Sequence, residues 1–459
     1  MFRAAEKEVK KWYLSANRHP LVIRGARQVG KSTLVRDFAA HEGIVLNEIN
    51  LYRHLDLAKV FSTLDPVRIC DELSDRLSRD IRAENSLLFL DEIQAVPEAI
   101  DALRYFYEEM PSIPVVSAGS LLEFTLAKHR FSMPVGRVEY MFLGPVTFGE
   151  FVEAADGYLA GYLSAEKIAG GISDSAHKGL MELVRRFMFV GGMPEAVQTW
   201  LDTGDMVAVS AVHRRIFNTY IDDFAKYASG ADLALMQRIF RAIPAHVGEK
   251  VKYVNYSREH KSVQVASVID LFVKARVACP VVHSDAGGIP LGAEERANVR
   301  KLIFLDVGLM NYANGLHASA LMAMDDMRLV NEGRIAEQFI GQHLFFRQGL
   351  FEEPRLNYWL REGSSVNAEV DYVIENGMNV VPVEVKAGKA GGMRALRQMV
   401  IEKRLHDALR FDASKYAVQD VAIEDSCHGK FVYRLTSVPL YGVLMVNCME
   451  DYVREGPMR

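Results

Sequence analysis

Apolar and polar positions change rhythm along this chain. Through the first 150 residues, short apolar runs alternate with stretches of helical period. Leu21 to Ile23, Ile44 to Leu51, Leu87 to Leu90 and Pro114 to Ala118 each read as a buried strand. Residues 5–17, the stretch opening at Leu34 to Phe38, residues 54–82 and residues 98–109 read as the helices around them, with Lys7, Lys10 and Lys11 outward on the first. Strands alternating with helices predict an α/β domain with a parallel sheet. Pro145 to Phe151 then leads into a mostly helical region, roughly 150–230. Gly191-Gly192-Met193-Pro194-Glu195 marks a sharp turn within it, and Asp222 and Asp223 sit on a helix as a solvated or ion-paired face. Residues 232–283 carry short helical patterns, Leu271 to Val282 reads as a strand, and so does Leu302 to Asp306. Short helices capped by strands predict a winged-helix-like segment. Beyond 330, a helix from Glu332 to Gln342 precedes strands at Leu356–Leu360, Glu369–Ile374 and Val380–Lys386, with a hairpin turn at Asn376-Gly377.

The first strand runs into Gly25-Ala26-Arg27-Gln28-Val29-Gly30-Lys31-Ser32-Thr33, a match to G-x-x-x-x-G-K-[ST] between a strand and a helix. Gly25 and Gly30 let the backbone curl and aim its N–H groups inward. That nest and the positive end of the following helix would hold the phosphates of ATP. Lys31 would reach the β- and γ-phosphates, and the Ser32 hydroxyl would ligate Mg²⁺. Leu87-Leu88-Phe89-Leu90 ends in Asp91-Glu92, so two acids emerge at the carboxyl end of a buried strand. Asp91 would hold Mg²⁺ through water, and Glu92 would orient or activate the attacking water. A strand inserted between the phosphate-loop and acid strands would end at a polar sensor; Ser120 is the candidate, with Ser117 behind it. Arg137, with Arg130 behind it, is the candidate to stabilise transition-state charge, from its own subunit or from a neighbour in a homo-oligomer.

A second constellation lies in the last third. Glu384 and Lys386 are two apart and share a strand face, where Asp371 of the neighbouring strand can meet them. Two carboxylates and a lysine on one sheet face suit metal-dependent phosphodiester cleavage: Asp371 and Glu384 would ligate Mg²⁺, and Lys386 would orient the nucleophile. Glu337 could add a carboxylate from the helix, and Gln398 could face the same cleft. An ion-paired sheet with no chemistry stays open beside that reading.

Composition narrows the classes. A net charge of −5 confines any nucleic-acid binding to a local patch, for which Lys250, Lys252, Arg258, Lys261, Arg300 and Lys301 are candidates; a protein-contact module is the alternative. The four cysteines lie far apart without a C-x-x-C pair, which predicts neither zinc nor disulfides and fits a reducing cytoplasm. No apolar run of about 18 residues suits a bilayer, and residues 1–8 lack an apolar signal core, so no membrane association is expected.

Both constellations together resemble the prokaryotic AAA-type P-loop ATPases with a C-terminal domain of uncharacterised function. The resemblance is carried by Gly25–Ser32, Leu90-Asp-Glu-Ile-Gln94, Ala118-Gly-Ser120, Gly191-Gly-Met-Pro-Glu195, Glu369-Val-Asp371 and Pro382-Val-Glu-Val-Lys386. It implies a P-loop ATPase domain (1–150), a helical lid (151–230), a winged-helix-like segment (231–325) and a PD-(D/E)xK nuclease-like core (326–459). That core motif's leading proline is replaced by Val370, which alters only strand shape. The expected function is a Mg²⁺-dependent ATPase whose nucleotide state controls a nuclease-like domain able to bind DNA. The alternative is a nucleotide-gated switch acting on a protein partner, with an inactive core.

Overall fold

Strands buried on both faces need helices on either side, and the amino-terminal third supplies them in alternation. The computed structural model describes residues 3–119, 134, 136–226, 228–316, 332–363, 367–387, 392–425 and 429–448. The chain divides into two units: Met1–Pro145 with Asp270–Val277 and Gly349–Glu353, and Val146–Ile269 with Ala278–Gln348 and Pro354–Arg459.

In the first unit, β1 (Leu21–Arg24), β2 (Val45–Asn50), β3 (Ser86–Asp91), β4 (Val115–Ala118) and β5 (Glu139–Phe142) form a sheet in the order β2-β3-β4-β1-β5. Every pairing is parallel. β4 lies between β1 and β3, as expected of the inserted strand. β3 is buried along its whole length, and Val22, Leu88, Leu90, Leu103 and Phe106 share one core. The helical stretch expected over 54–82 is broken by its own punctuation. Pro66 opens the helix Pro66–Leu77, the Asp65 carboxylate accepts the Val67 and Arg68 N–H groups at 2.9 and 3.2 Å, and Ser78 closes it in the left-handed conformation.

Among the described residues, the second unit holds eight strands: β6 (Ala278–Ser284), β7 (Glu295–Phe304), β8 (Leu356–Arg361), β9 (Ala368–Asn376), β10 (Asn379–Val385), β11 (Asp407–Asp412), β12 (Ala417–Asp425) and β13 (Gly429–Pro439). Their order is β12-β13-β11-β10-β9-β8-β6-β7, in a mixed sheet. Two expectations for residues 271–306 change. Leu271 to Lys274 is the last turn of the helix Ser262–Lys274, and Arg276 at φ 59° turns the chain before β6 begins. The strands expected in a winged-helix-like segment join the large sheet, β6 pairing with β8 in parallel. Residues 148–224 pack within this unit. Rings of Phe148, Phe151, Phe187 and Phe339 meet at centroid distances of 5.2 to 6.5 Å, the last from the helix Glu332–Phe345. Asp223 is buried and ion-paired with Lys226 at 2.8 Å, the second of the two states foreseen for that face.

The Gly191-Gly192-Met193-Pro194-Glu195 turn has a structural cause. Gly191 adopts φ 70° and ψ −170°, a region open essentially to glycine alone. A Cβ there would stand 2.1 Å from Asp306 Oδ1. Asp306 is buried, and its carboxylate accepts the N–H groups of Gly192 at 2.5 Å and Leu309 at 2.9 Å. Gly191→Ala therefore combines backbone strain with a clash against a fixed acceptor. It is expected to cost about 3 kcal/mol in urea unfolding, and a loss under about 1 kcal/mol would sink this account.

Candidate functional site: the phosphate loop and a separate acidic cluster

The phosphate loop leaves the carboxyl end of β1. Gly25 takes φ 156°, and a Cβ on it would stand 2.2 Å from the Leu143 carbonyl oxygen, so the loop lies flush against the chain after β5. Ala26 and Val29 are buried beneath it. Gln28 and Gly30 have φ of 63° and 93°, and Gly30 caps the helix Lys31–Glu42. Lys31 is 7% exposed, and its ammonium donates to Gly25 O at 3.0 Å and Ala26 O at 2.8 Å. The loop carbonyls thus hold the charge that a phosphate would take over. Burial pushes the Lys31 ammonium down to about 8, against the upward pull of Glu92 and Asp91.

Asp91 closes β3 beside the loop. Its Oδ1 accepts the Ser32 hydroxyl at 2.9 Å, and its Oδ2 accepts Asn50 Nδ2 at 3.3 Å from the end of β2. Arg36 Nη2 stands 4.0 Å away, held also by Glu48 at 2.6 Å. Burial raises the Asp91 carboxyl above its ordinary value, with the Ser32 hydrogen bond opposing. Ser32 and Asp91 present hard oxygens side by side, and that donor set fits Mg²⁺.

Glu92 follows in the left-handed conformation, φ 54° and ψ 47°, which turns the chain sharply after the strand. Gln94 Nε2 donates to Glu92 Oε2. Gly119 makes room for this side chain: a Cβ there would stand 2.3 Å from Gln94 Oε1. Gln94 and Asn50 are thus site residues whose roles went unread in the sequence. The signal available for each was a polar side chain at, or three residues beyond, the end of an apolar strand.

Other candidates fall elsewhere. Ser120 and Arg130 lie outside the described residues. Ser117 is buried, and its hydroxyl is spent on the Leu21 carbonyl at 3.3 Å. Arg137 is corrected as a candidate in its own subunit. Glu139, two residues on, aligns with Leu21 at the start of β1, whereas the phosphate loop follows Arg24 at the other end. Four residues of strand span about 10–13 Å. The Arg137 guanidinium is instead paired with Glu108, Nε to Oε1 at 2.7 Å.

The second unit does bring Asp371, Glu384, Lys386 and Glu337 to one region of the sheet. Val383 pairs with Tyr372 in the β9–β10 hairpin, so Glu384 follows on one strand where Asp371 precedes on the other. The Val385 N–H donates to Asp371 Oδ2 at 2.8 Å, and Lys386 Nζ donates to Glu384 Oε1. Burial raises both Glu337 and Glu384 above the usual carboxylate range. Gln398 is half-buried on the helix Arg394–Lys403. Lys301, expected in a basic surface patch, is instead 1% exposed and ion-paired with Glu337 and Glu369. Burial opposes its charge, but Glu337, Glu369 and Asp371 hold its ammonium above the ordinary lysine value.

Comparison with known proteins adds to this geometry. Residues 17–152 match the AAA domain family, 181–320 match a domain of unknown function (DUF8612), and 332–436 match another (DUF4143). No curated protein matches. Among solved structures, the chain is similar to the Aeropyrum pernix ORC1 protein in complex with DNA, at 13% identity and TM-score 0.30, over 70% of this chain and 95% of that one. It is similar to the ADP form of Aeropyrum pernix ORC2, at 16% identity and TM-score 0.29, over 70% and 94%. It is also similar to AMPPCP-bound DnaA from Aquifex aeolicus, at 12% identity and TM-score 0.26, over 58% and 86%. Among the described residues, no helix is long and apolar enough to cross a membrane. The chain carries a P-loop nucleotide-binding domain similar to the AAA family, followed by two segments similar to families without assigned function.

Proposed function

We propose that this protein binds and hydrolyses ATP in its first unit, and that the bound nucleotide controls its second unit, a nuclease-like domain that engages DNA. The observation that carries the ATPase reading is the meeting of Ser32 Oγ and Asp91 Oδ1 at 2.9 Å, beside a lysine held by loop carbonyls. The loop N–H groups and Lys31 hold the phosphates, and Glu92 takes the proton of the attacking water. Mg²⁺ held by Ser32 and Asp91 supplies charge neutralisation on the phosphate oxygens when bound. The work left to the chain is positioning and electrostatics, which suits a site built on strand ends and a helix N-terminus.

A second reading is a nucleotide-gated switch acting on a protein partner, with a core that does not cleave. The buried Lys301 amid the acids of the second sheet favours it.

Turnover of ATP by the purified chain, with and without single- and double-stranded DNA at one fixed salt, separates the two. Stimulation by DNA is expected on the first reading. Slow turnover indifferent to DNA would overturn it and favour the switch.

A further inference from the structure

The acidic cluster of the second sheet already contains a cation, supplied by the chain. Lys301 Nζ lies 2.9 Å from Glu337 Oε1 and 3.1 Å from Glu369 Oε1. The ring centroids of Tyr358 and Tyr372 stand 5.0 and 5.6 Å from it, within reach of a cation–π contribution. Four separate elements build this enclosure: β7, β8, β9 and the helix Glu332–Phe345. A β-bulge helps to shape it. Asn357 pairs with Val373 and Trp359 with Val370, so Tyr358 alone opposes Asp371 and Tyr372. Gly248 closes the helix side: a Cβ on it would stand 2.6 Å from Glu337 Oε2.

A nuclease-like core would place a divalent ion among these acids, and the donors do not fit one. Mg²⁺ requires near-octahedral oxygen ligands at about 2.0–2.1 Å and retains several waters. Here Glu337 Oε1 and Glu369 Oε1 are spent on Lys301, Asp371 Oδ2 on the Val385 N–H, and Glu384 Oε1 on Lys386, while Glu384 Oε2 is buried without a hydrogen-bond partner, one orphaned oxygen where Mg²⁺ needs several. Among the described residues, no three His, Cys, Asp or Glu side chains converge as a metal-holding group. A buried ammonium and its carboxylates are also mutually dependent, because removing either partner strands the other charge in a poorly solvated place.

We infer that the Lys301 ammonium takes the place of a divalent ion between Glu337 on the helix and the acids of β9. The second unit is then metal-free and performs no metal-dependent phosphodiester cleavage. The inference takes from the proposed function only the nuclease-like reading of the core. Its test contains no nucleotide, so it stands or falls apart from the ATPase reading.

The test is a Mn²⁺ titration of the nucleotide-free full chain, followed by the EPR signal of free Mn²⁺. Wild type should show no bound Mn²⁺ that Asp371→Asn removes; any ion at Ser32 and Asp91 would persist in that variant. Lys301→Met keeps the apolar stem and removes the charge, and it should gain one Mn²⁺ per chain. A wild-type site lost in Asp371→Asn or Glu384→Gln would overturn the inference. So would a folded Lys301→Met that binds no Mn²⁺, or Mg²⁺-dependent DNA cleavage that Lys386→Ala abolishes. Should Lys301→Met fail to fold, the comparison of wild type with Asp371→Asn decides alone.

Discussion

In the Glu92→Gln protein, ATP turnover is expected to fall by about 10²–10⁴-fold, the usual range for losing a general base, while nucleotide binding stays near wild type. Glu92 stands one residue past Asp91 at the carboxyl end of β3, and its left-handed backbone redirects the chain there. Gln94 holds its carboxylate by a hydrogen bond from Nε2. Glutamine keeps the length and shape of the side chain and gives up its negative charge, and with it the capacity to accept a proton. The phosphate contacts belong to the loop and to Lys31, so the dissociation constant should not move. Phosphate release at saturating ATP gives the first quantity, and titration with a fluorescent nucleotide gives the second. Turnover within a few-fold of wild type would remove the role assigned to Glu92.

Lys31→Ala is expected to weaken ATP binding by about 10²-fold or more, since it leaves phosphate charge in a largely buried loop without its cation. The wild-type protein should carry a related pH signature. Burial lowers the Lys31 ammonium to about 8 in the free protein. Bound phosphates favour the charged amine and raise it again. The free state therefore gives up its proton above about pH 8, while the bound state keeps it. Affinity should be flat with respect to this group below that pH. Above it, affinity should fall by up to about tenfold per pH unit, because each binding event must then take up a proton. Dissociation constants measured at pH 7, 8 and 9 check the sign. An affinity that rises over this range would contradict the buried, carbonyl-held lysine. Lys31→Ala should lose this pH dependence along with its affinity.

The first unit was readable because its chemistry is local. Gly25 to Ser32 is one continuous segment, and the turn, the nest and the helix start follow from glycine spacing and the strand before it. Asp91 and Glu92 were readable for the same reason: four apolar residues leave no place for two acids except the end of a strand. In the second unit, the period-two pattern and the turn at Asn376-Gly377 identified the hairpin that brings Asp371 near Glu384. Tertiary structure decided everything that depends on which distant segments meet. Arg137 looked like a catalytic arginine by residue type, and only the register of β5 against β1 puts it at the far end of the sheet from its own phosphate loop, a register that does not bear on a neighbouring subunit's nucleotide. Gly191 to Glu195 read as a sharp turn, and only Asp306, more than a hundred residues later, explains its glycines. Lys301 read as one more surface base, because a lysine in a strand gives no sign of its partners. Its carboxylate neighbours at 337, 369 and 371 lie on a helix and a strand that follow much later in the chain. Hydrophobic period specifies which face of an element is covered. The charge that waits beneath that cover is set by the neighbouring elements, and those are chosen only when the chain folds.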